Sequence, residues 1–143
     1  MKYHHILAAY DGSEASVKAL SHAVKIAENQ QACRLSVAHV ASRPAYTIAS
    51  YGLVLPESYQ EKWKEYEDAL VQQATGQIEG LPYANVAVLK GHPATAILDY
   101  ANDHACDLIV MGNRGLGALK EWMLGSVSHH VVQQARIPVL IVK

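Results

Sequence analysis

The segment Asp107-Leu108-Ile109-Val110-Met111-Gly112-Asn113-Arg114-Gly115 runs from an apolar strand straight into bare backbone. Leu108 to Met111 shows no alternation of polar and apolar residues, the pattern of a strand buried on both faces of a parallel sheet. The glycines begin where that strand should end. Glycine accepts positive φ and lets amide N–H groups approach a bulky anion with no Cβ in the way. After nine further residues Gly125-Ser126 opens a helix, with Ser126 offering a hydroxyl suited to capping it. A helix N-terminus adds unpaired N–H donors and the positive end of the helix dipole. G-x-x-G alone is no more than a strand-to-helix connection, but strand, two glycine turns and helix start around one pocket read as a phosphate cradle. No Gly-Lys-Ser or Gly-Lys-Thr follows and no G-x-G-x-x-G occurs, so neither a P-loop nor a dinucleotide fingerprint is present.

Outward from this segment the chain alternates short apolar runs with helical periodicity. Ile6 to Ala9 reads as a first buried strand ending at Tyr10-Asp11-Gly12-Ser13. A helix over Glu14 to Asn29 follows, with Leu20, Ala23, Val24 and Ala27 on its buried face, and Asp11 with Glu14 has the form of a capping box. Leu35 to Val40 is a second strand, and Ala41 to Pro56, containing Pro44 and Gly52, a long connection. Tyr59, Trp63, Tyr66, Leu70, Ala74 and Ile78 recur at helical spacing up to Gly80 and Pro82, and the aromatic stripe is expected to make core contacts. Val86 to Leu89 is a third, shorter strand. Gly91-His92-Pro93 is a turn whose proline opens a helix buried through Ala94, Ile97, Leu98 and Ala101. The last helix spans Ser126 to Ala135, and Pro138 introduces a closing strand, Val139-Leu140-Ile141-Val142. The order βαβαβαβαβ predicts a single α/β domain: an open five-stranded parallel sheet with helices on both faces. Ligands on such sheets bind beyond the carboxyl ends of the strands, where the strand order reverses, and Asp11 and Gly112 both stand at such ends.

Composition narrows the function classes. A chain of 143 residues fits one domain, and a net charge of −1 with half the residues apolar excludes a polybasic nucleic-acid binder and a disordered acidic chain. Cys33 and Cys106 lack C-x-x-C spacing and read as reduced thiols. No segment is long and apolar enough to cross a bilayer, and Met1 to His5 leads directly into a strand, so neither membrane insertion nor export is expected and the protein is assigned to the cytoplasm. Of eight histidines, His4-His5 and His129-His130 are adjacent pairs. Neighbours in sequence do not share a helix or strand face, so no dedicated metal site is read from them. For His129 and His130, surface or packing roles are favoured over contact with phosphates. Arg114 either forks onto a phosphate oxygen or is solvated, and Lys120, mid-stretch, is expected to point outward.

Tyr10-Asp11-Gly12-Ser13, Gly91-His92-Pro93, Asp107 to Gly115, Gly125-Ser126-Val127-Ser128 and Pro138 to Val142 together resemble the universal stress protein family over nearly the whole chain. The G-x2-G-x9-G-[ST] motif, complete here, marks the ATP-binding subclass of that family. The resemblance implies a flavodoxin/Rossmann-like, adenine nucleotide alpha hydrolase-like sheet of order 3-2-1-4-5. It implies that ATP phosphates are received by backbone around Gly112, Asn113, Arg114 and Gly115 and by Gly125, Ser126, Val127 and Ser128. Asp11 aligns with the aspartate that meets the ribose, Ala9 and Val40 with positions lining the adenine, and Met111 with a residue beneath it. Nothing transfers onto the loop after Val40, which varies in the family. Mg2+ or Mn2+ would arrive with the triphosphate, held mainly by phosphate oxygens and water, with no protein ligand named. A homodimer through the C-terminal strand is implied, and a regulatory or stress-response role through a protein partner not identified by the sequence. No positioned base for hydrolysis is evident. A slow ATPase or phosphotransferase, and an interaction module that binds no nucleotide or takes AMP or cyclic AMP, remain the alternatives.

Overall fold

His5–Ala9 (β1) and Leu108–Gly112 (β4) have little side-chain polarity on either face, and strands of that kind are stable only under helices on both sides. The computed structural model describes residues 2–41, 51–115 and 123–143. It sets β1 and β4 side by side at the centre of a sheet, every residue of both buried. Around them run α1 (Glu14–Glu28), β2 (Arg34–Ala41), α2 (Glu57–Gln77), β3 (Ala84–Lys90), α3 (Pro93–Asp103), α4 (Ser126–Gln134) and β5 (Val139–Val142). The sheet has five strands in the order β3-β2-β1-β4-β5, all paired in parallel, with Ala8 opposite Val37 on one side and Val110 on the other. The order reverses between β1 and β4, so the ends of those two strands open the crevice expected for a ligand.

Two cores cover the two faces. Ile6, Ala8, Val37 and Val110 pack with Leu20 and Ala23 of α1 and with Leu70 and Ala74 of α2. Leu7, Ala38, Ile109 and Met111 pack with Ile97 and Ala101 of α3 and with Val131 of α4. Alanines on α1 let it approach β4 closely: a Cβ on Gly112 would lie 2.7 Å from the Ala15 Cβ and 2.9 Å from the Ala15 carbonyl carbon. Backbone cannot yield as a side-chain tip can, so Gly112→Ala is expected to destabilise the fold by about 1–3 kcal/mol. A lower urea midpoint at unchanged slope would register this, and an unmoved midpoint would contradict it.

Several local expectations are corrected. Asp11 and Glu14 do not form a capping box: Gly12 at φ +83° turns the chain, and the cap of α1 is Ser13, whose Oγ accepts from Ser16 N at 3.2 Å. Asp11 Oδ1 instead accepts from Ser13 N at 2.9 Å, an Asx turn leading into the helix. β3 is not a short strand, since it pairs with β2 from Ala84 to Lys90. Its polar ends Asn85 and Lys90 are exposed at the sheet edge, which hides them from an apolarity count. Ser126 does not cap α4; the cap is Gly125, and Ser126 is the first helical residue. The aromatic stripe of α2 is core only in its second half. Leu70, Ala74 and Ile78 are buried, whereas Tyr59 and Tyr66 are exposed and Trp63 half-buried. Pro44 and most of the long connection lie outside the described residues, as does Lys120.

The opposite end of the sheet holds a polar cluster. The Asp107 carboxylate accepts from His4 N at 2.8 Å and His5 N at 3.0 Å, fastening the start of β1 beside β4. Burial pushes the Asp107 carboxyl up, but the His4 and His5 amides outweigh it and hold the group below its usual range. Buried His5 places Nδ1 3.0 Å from the His104 carbonyl and Nε2 2.8 Å from Ser36 Oγ, which itself lies 2.9 Å from Asn85 Oδ1. Burial lowers the His5 pKa from 6.5, more than the His104 carbonyl raises it. The unfolded chain therefore binds this proton more readily than the fold does. Stability is full above the unfolded value of 6.5, declines as pH falls below it and levels off beneath the folded value. Denaturation series between roughly pH 8 and pH 5 should show this decline, and His5→Gln should flatten it. Equal slopes in both proteins would assign the decline to other groups.

Candidate functional site

The carboxyl ends of β1, β2 and β4 open onto a cleft of about 750 Å³, within the range that encloses a small organic ligand. β1 contributes Ala9 and, just beyond it, Tyr10 and Asp11; β2 contributes Ala38, His39 and Val40; β4 contributes Met111 and Gly112. Arg114 and Gly115 follow on one wall, facing Gly125, Ser126, Val127 and Ser128. Eleven of the twelve residues expected at the site from sequence therefore line one cavity.

Asn113 is the exception, and its backbone explains why. It is buried, its N–H donates to the Val142 carbonyl at 2.9 Å, and its carbonyl accepts from Gly125 N and from Ser128 Oγ, each at 2.8 Å. Those bonds draw the two glycine turns together behind the cleft wall. A Cβ on Gly125 would stand 3.1 Å from the Arg114 Cα. A Cβ on Gly115 would stand 2.5 Å from Asp11 Oδ2, so the aspartate reaches across from β1 to the glycine loop. The two ends of the site meet there.

The charge pattern suits an anion on one side only. Among the described residues no side chain caps α4, and its first amides stand at the positive end of its dipole for an external acceptor. Half-buried Arg114 stands beside them, while the Asp11 carboxylate confines negative ligand groups to the side away from β1. Ala9, Val40, Met111, Val127 and Ile97 form an apolar wall on the face toward α3 and α4. A flat apolar group with a polyanionic tail fits this division.

Other lining residues are not read as site residues from sequence. Trp63, Tyr66 and Glu67 of α2 border the cleft, with the Trp63 and Tyr66 rings edge-to-face at 5.5 Å between centroids. Their helical spacing looked like core, and only tertiary placement separates the two roles. His39 likewise sat unnoticed inside an apolar strand, though a lone polar residue at a strand's carboxyl end was the available signal. Neither His129 nor His130 borders the cleft, and the His130 ring packs 5.8 Å from that of His92. Among the described residues no three His, Cys, Asp or Glu side chains gather as a metal centre, and no helix is long and apolar enough to cross a membrane.

Comparison with known proteins places this architecture. The model of the universal stress protein family matches residues 2–143. The universal stress protein YxiE of Bacillus subtilis is 40% identical over 152 residues, covering 99% of each chain. The solved MJ0577 protein, a universal stress protein of Methanocaldococcus jannaschii, superposes with a TM-score of 0.82 at 27% identity, over 100% of this chain and 97% of the other. A universal stress protein from Archaeoglobus fulgidus, solved in complex with dAMP, shares the fold at a TM-score of 0.69 and 22% identity, each chain covered completely. With five parallel strands in the order 3-2-1-4-5 and a family match along its length, the chain belongs to the universal stress protein family.

Proposed function

We propose that the cleft binds an adenine nucleotide, ATP by preference, and that its occupancy regulates a stress response in the cytoplasm through a protein partner. The observation that carries this reading is the meeting of Asp11 with Gly115 opposite the uncapped start of α4. That meeting juxtaposes an acceptor for sugar hydroxyls with amides for phosphates. The apolar wall of Ala9, Val40 and Met111 takes the base, and the amides of Arg114, Gly115, Ser126, Val127 and Ser128 take the phosphates, those of Asn113 and Gly125 being engaged by the Val142 and Asn113 carbonyls. Mg2+ or Mn2+ accompanies the triphosphate on its own oxygens and water. A nucleotide that favours one conformation shifts the population by its differential affinity, which suits a switch better than rapid turnover. β5 ends the sheet with partly exposed Val139, Leu140 and Ile141, and pairing of two copies along it gives a homodimer.

A monophosphate or cyclic adenine nucleotide in the same cleft is the second reading, favoured by the dAMP held by the Archaeoglobus relative. To separate them, freshly purified protein is denatured and any released nucleotide identified, then stripped protein is titrated with ATP and magnesium in competition with AMP and cyclic AMP. Preferential ATP binding is expected. Tighter AMP or cyclic AMP binding would support the second reading, and no binding by any of the three would sink both.

A further inference from the structure

His39 is 6% exposed, lines the cleft and carries a hydrogen-bonding requirement that the described residues leave unmet. Its Nδ1 lies 3.2 Å from the Tyr10 carbonyl oxygen. A carbonyl only accepts, so Nδ1 carries the proton, and in the neutral ring Nε2 is then a lone-pair acceptor. Among the described residues that buried Nε2 has no hydrogen-bond partner. Buried acceptors are nearly always satisfied, and one left open in a residue that lines a cleft calls for a donor from the ligand, which reaches it as the side chain adjusts on binding.

Strand alternation says which part of a nucleotide can supply that donor. Val40 packs with the core toward α3 and α4, so the preceding His39 points to the opposite face, where Tyr10 packs. Its ring is tied to the carbonyl of Tyr10, the residue next to Asp11. In the reading proposed above, the base lies on the Val40 side and the sugar at Asp11. The acceptor beside Asp11 therefore meets the sugar, and a ribose presents two vicinal hydroxyls to two acceptors. We propose that His39 is a specificity-determining residue that accepts a hydrogen bond through Nε2 from a ribose hydroxyl, making the cleft selective for ribonucleotides over deoxyribonucleotides. This inference rests on the nucleotide reading of the same site. Deleting the donor leaves the acceptor buried and unsatisfied in the complex, an effect of about tenfold in affinity.

The test is calorimetric titration of nucleotide-free protein with ATP, 2′-deoxy-ATP, 3′-deoxy-ATP and inosine triphosphate, for the wild type, His39→Phe and His39→Gln. Both deoxy analogues should bind the wild type more weakly than ATP, one hydroxyl serving Asp11 and the other His39, and His39→Phe should close one of these gaps, of about tenfold, while leaving the preference for ATP over inosine triphosphate unchanged. Equal binding of ATP and both deoxy analogues by the wild type would overturn the assignment. So would survival of both gaps in His39→Phe, or a substitution that alters only base preference. Should the variants fail to fold, imidazole nitrogen NMR of the wild type answers instead. The Nε2 resonance should move on adding ATP or one deoxy analogue and stay in place with the other, and equal movement with both deoxy analogues would overturn the role. Failure of ATP itself to bind sinks the nucleotide reading and this inference with it. ATP binding without a deoxy penalty leaves that reading standing and removes only the role of His39.

Discussion

Gly115→Asp is expected to abolish nucleotide binding while leaving the fold intact. Gly115 is exposed and is not among the residues at positive φ, so backbone conformation does not bar a side chain there. What bars it is the site: the new Cβ would start 2.5 Å from Asp11 Oδ2, and a second carboxylate would sit where the phosphates must lie. Like charges about 4 Å apart repel by roughly 4 kcal/mol at the effective dielectric of a protein surface, which corresponds to a loss of about a thousandfold. Gly115→Ala separates sterics from charge. It displaces the Asp11 carboxylate without adding a charge, and about a tenfold loss is expected from one impaired hydrogen bond. Titration calorimetry on both variants, with thermal melts as the control for folding, reads the series. Full ATP affinity in Gly115→Asp would move the phosphates away from this loop.

Leu140→Glu carries the second large effect. Leu140 is 38% exposed on β5, at the end of the sheet order. In a two-fold dimer built on this edge the substitution acts twice, removing apolar burial from each copy and setting like charges near one another. The combined cost is about 3 kcal/mol, or roughly a hundredfold in the dimer dissociation constant. Sedimentation velocity at micromolar protein should show a dimer for the wild type and a monomer for the variant. A monomeric wild type, or a variant dimer of undiminished stability, would contradict assembly through β5.

The fold was legible because its central strands carry an unambiguous signal. Leu108-Ile109-Val110-Met111 and Ile6-Leu7-Ala8-Ala9 are apolar on both faces, and the glycine turn and Asp11 mark their carboxyl ends. Periodicity states which residues leave solvent but not what covers them. Trp63 and Ala74 share one helical stripe, yet Ala74 belongs to the core beside β1 while Trp63 borders the cleft. α1 starts at Glu14 as expected but its cap differs, because Asp11, Gly12 and Ser13 include two good caps and Gly12 at positive φ favours the later one. His39 carries a sequence signal as a polar residue late in an apolar strand, but its open Nε2 follows only from Tyr10, just beyond β1, whose carbonyl engages Nδ1. Asn113 shows the converse. It stands inside the motif, but its bonds to Val142, Gly125 and Ser128 tie the loop from behind.

The most direct test of the nucleotide site is amide NMR of isotopically labelled, nucleotide-free protein titrated with ATP and magnesium. The largest shifts should fall on the amides of residues 112–115 and 125–128, with smaller ones at Asp11 and Val40 where sugar and base contact the wall. Shifts confined to the far end of the sheet around Asp107 and His104, or none at saturating ATP, would contradict the phosphate cradle and leave Gly112, Gly115 and Gly125 with purely structural roles.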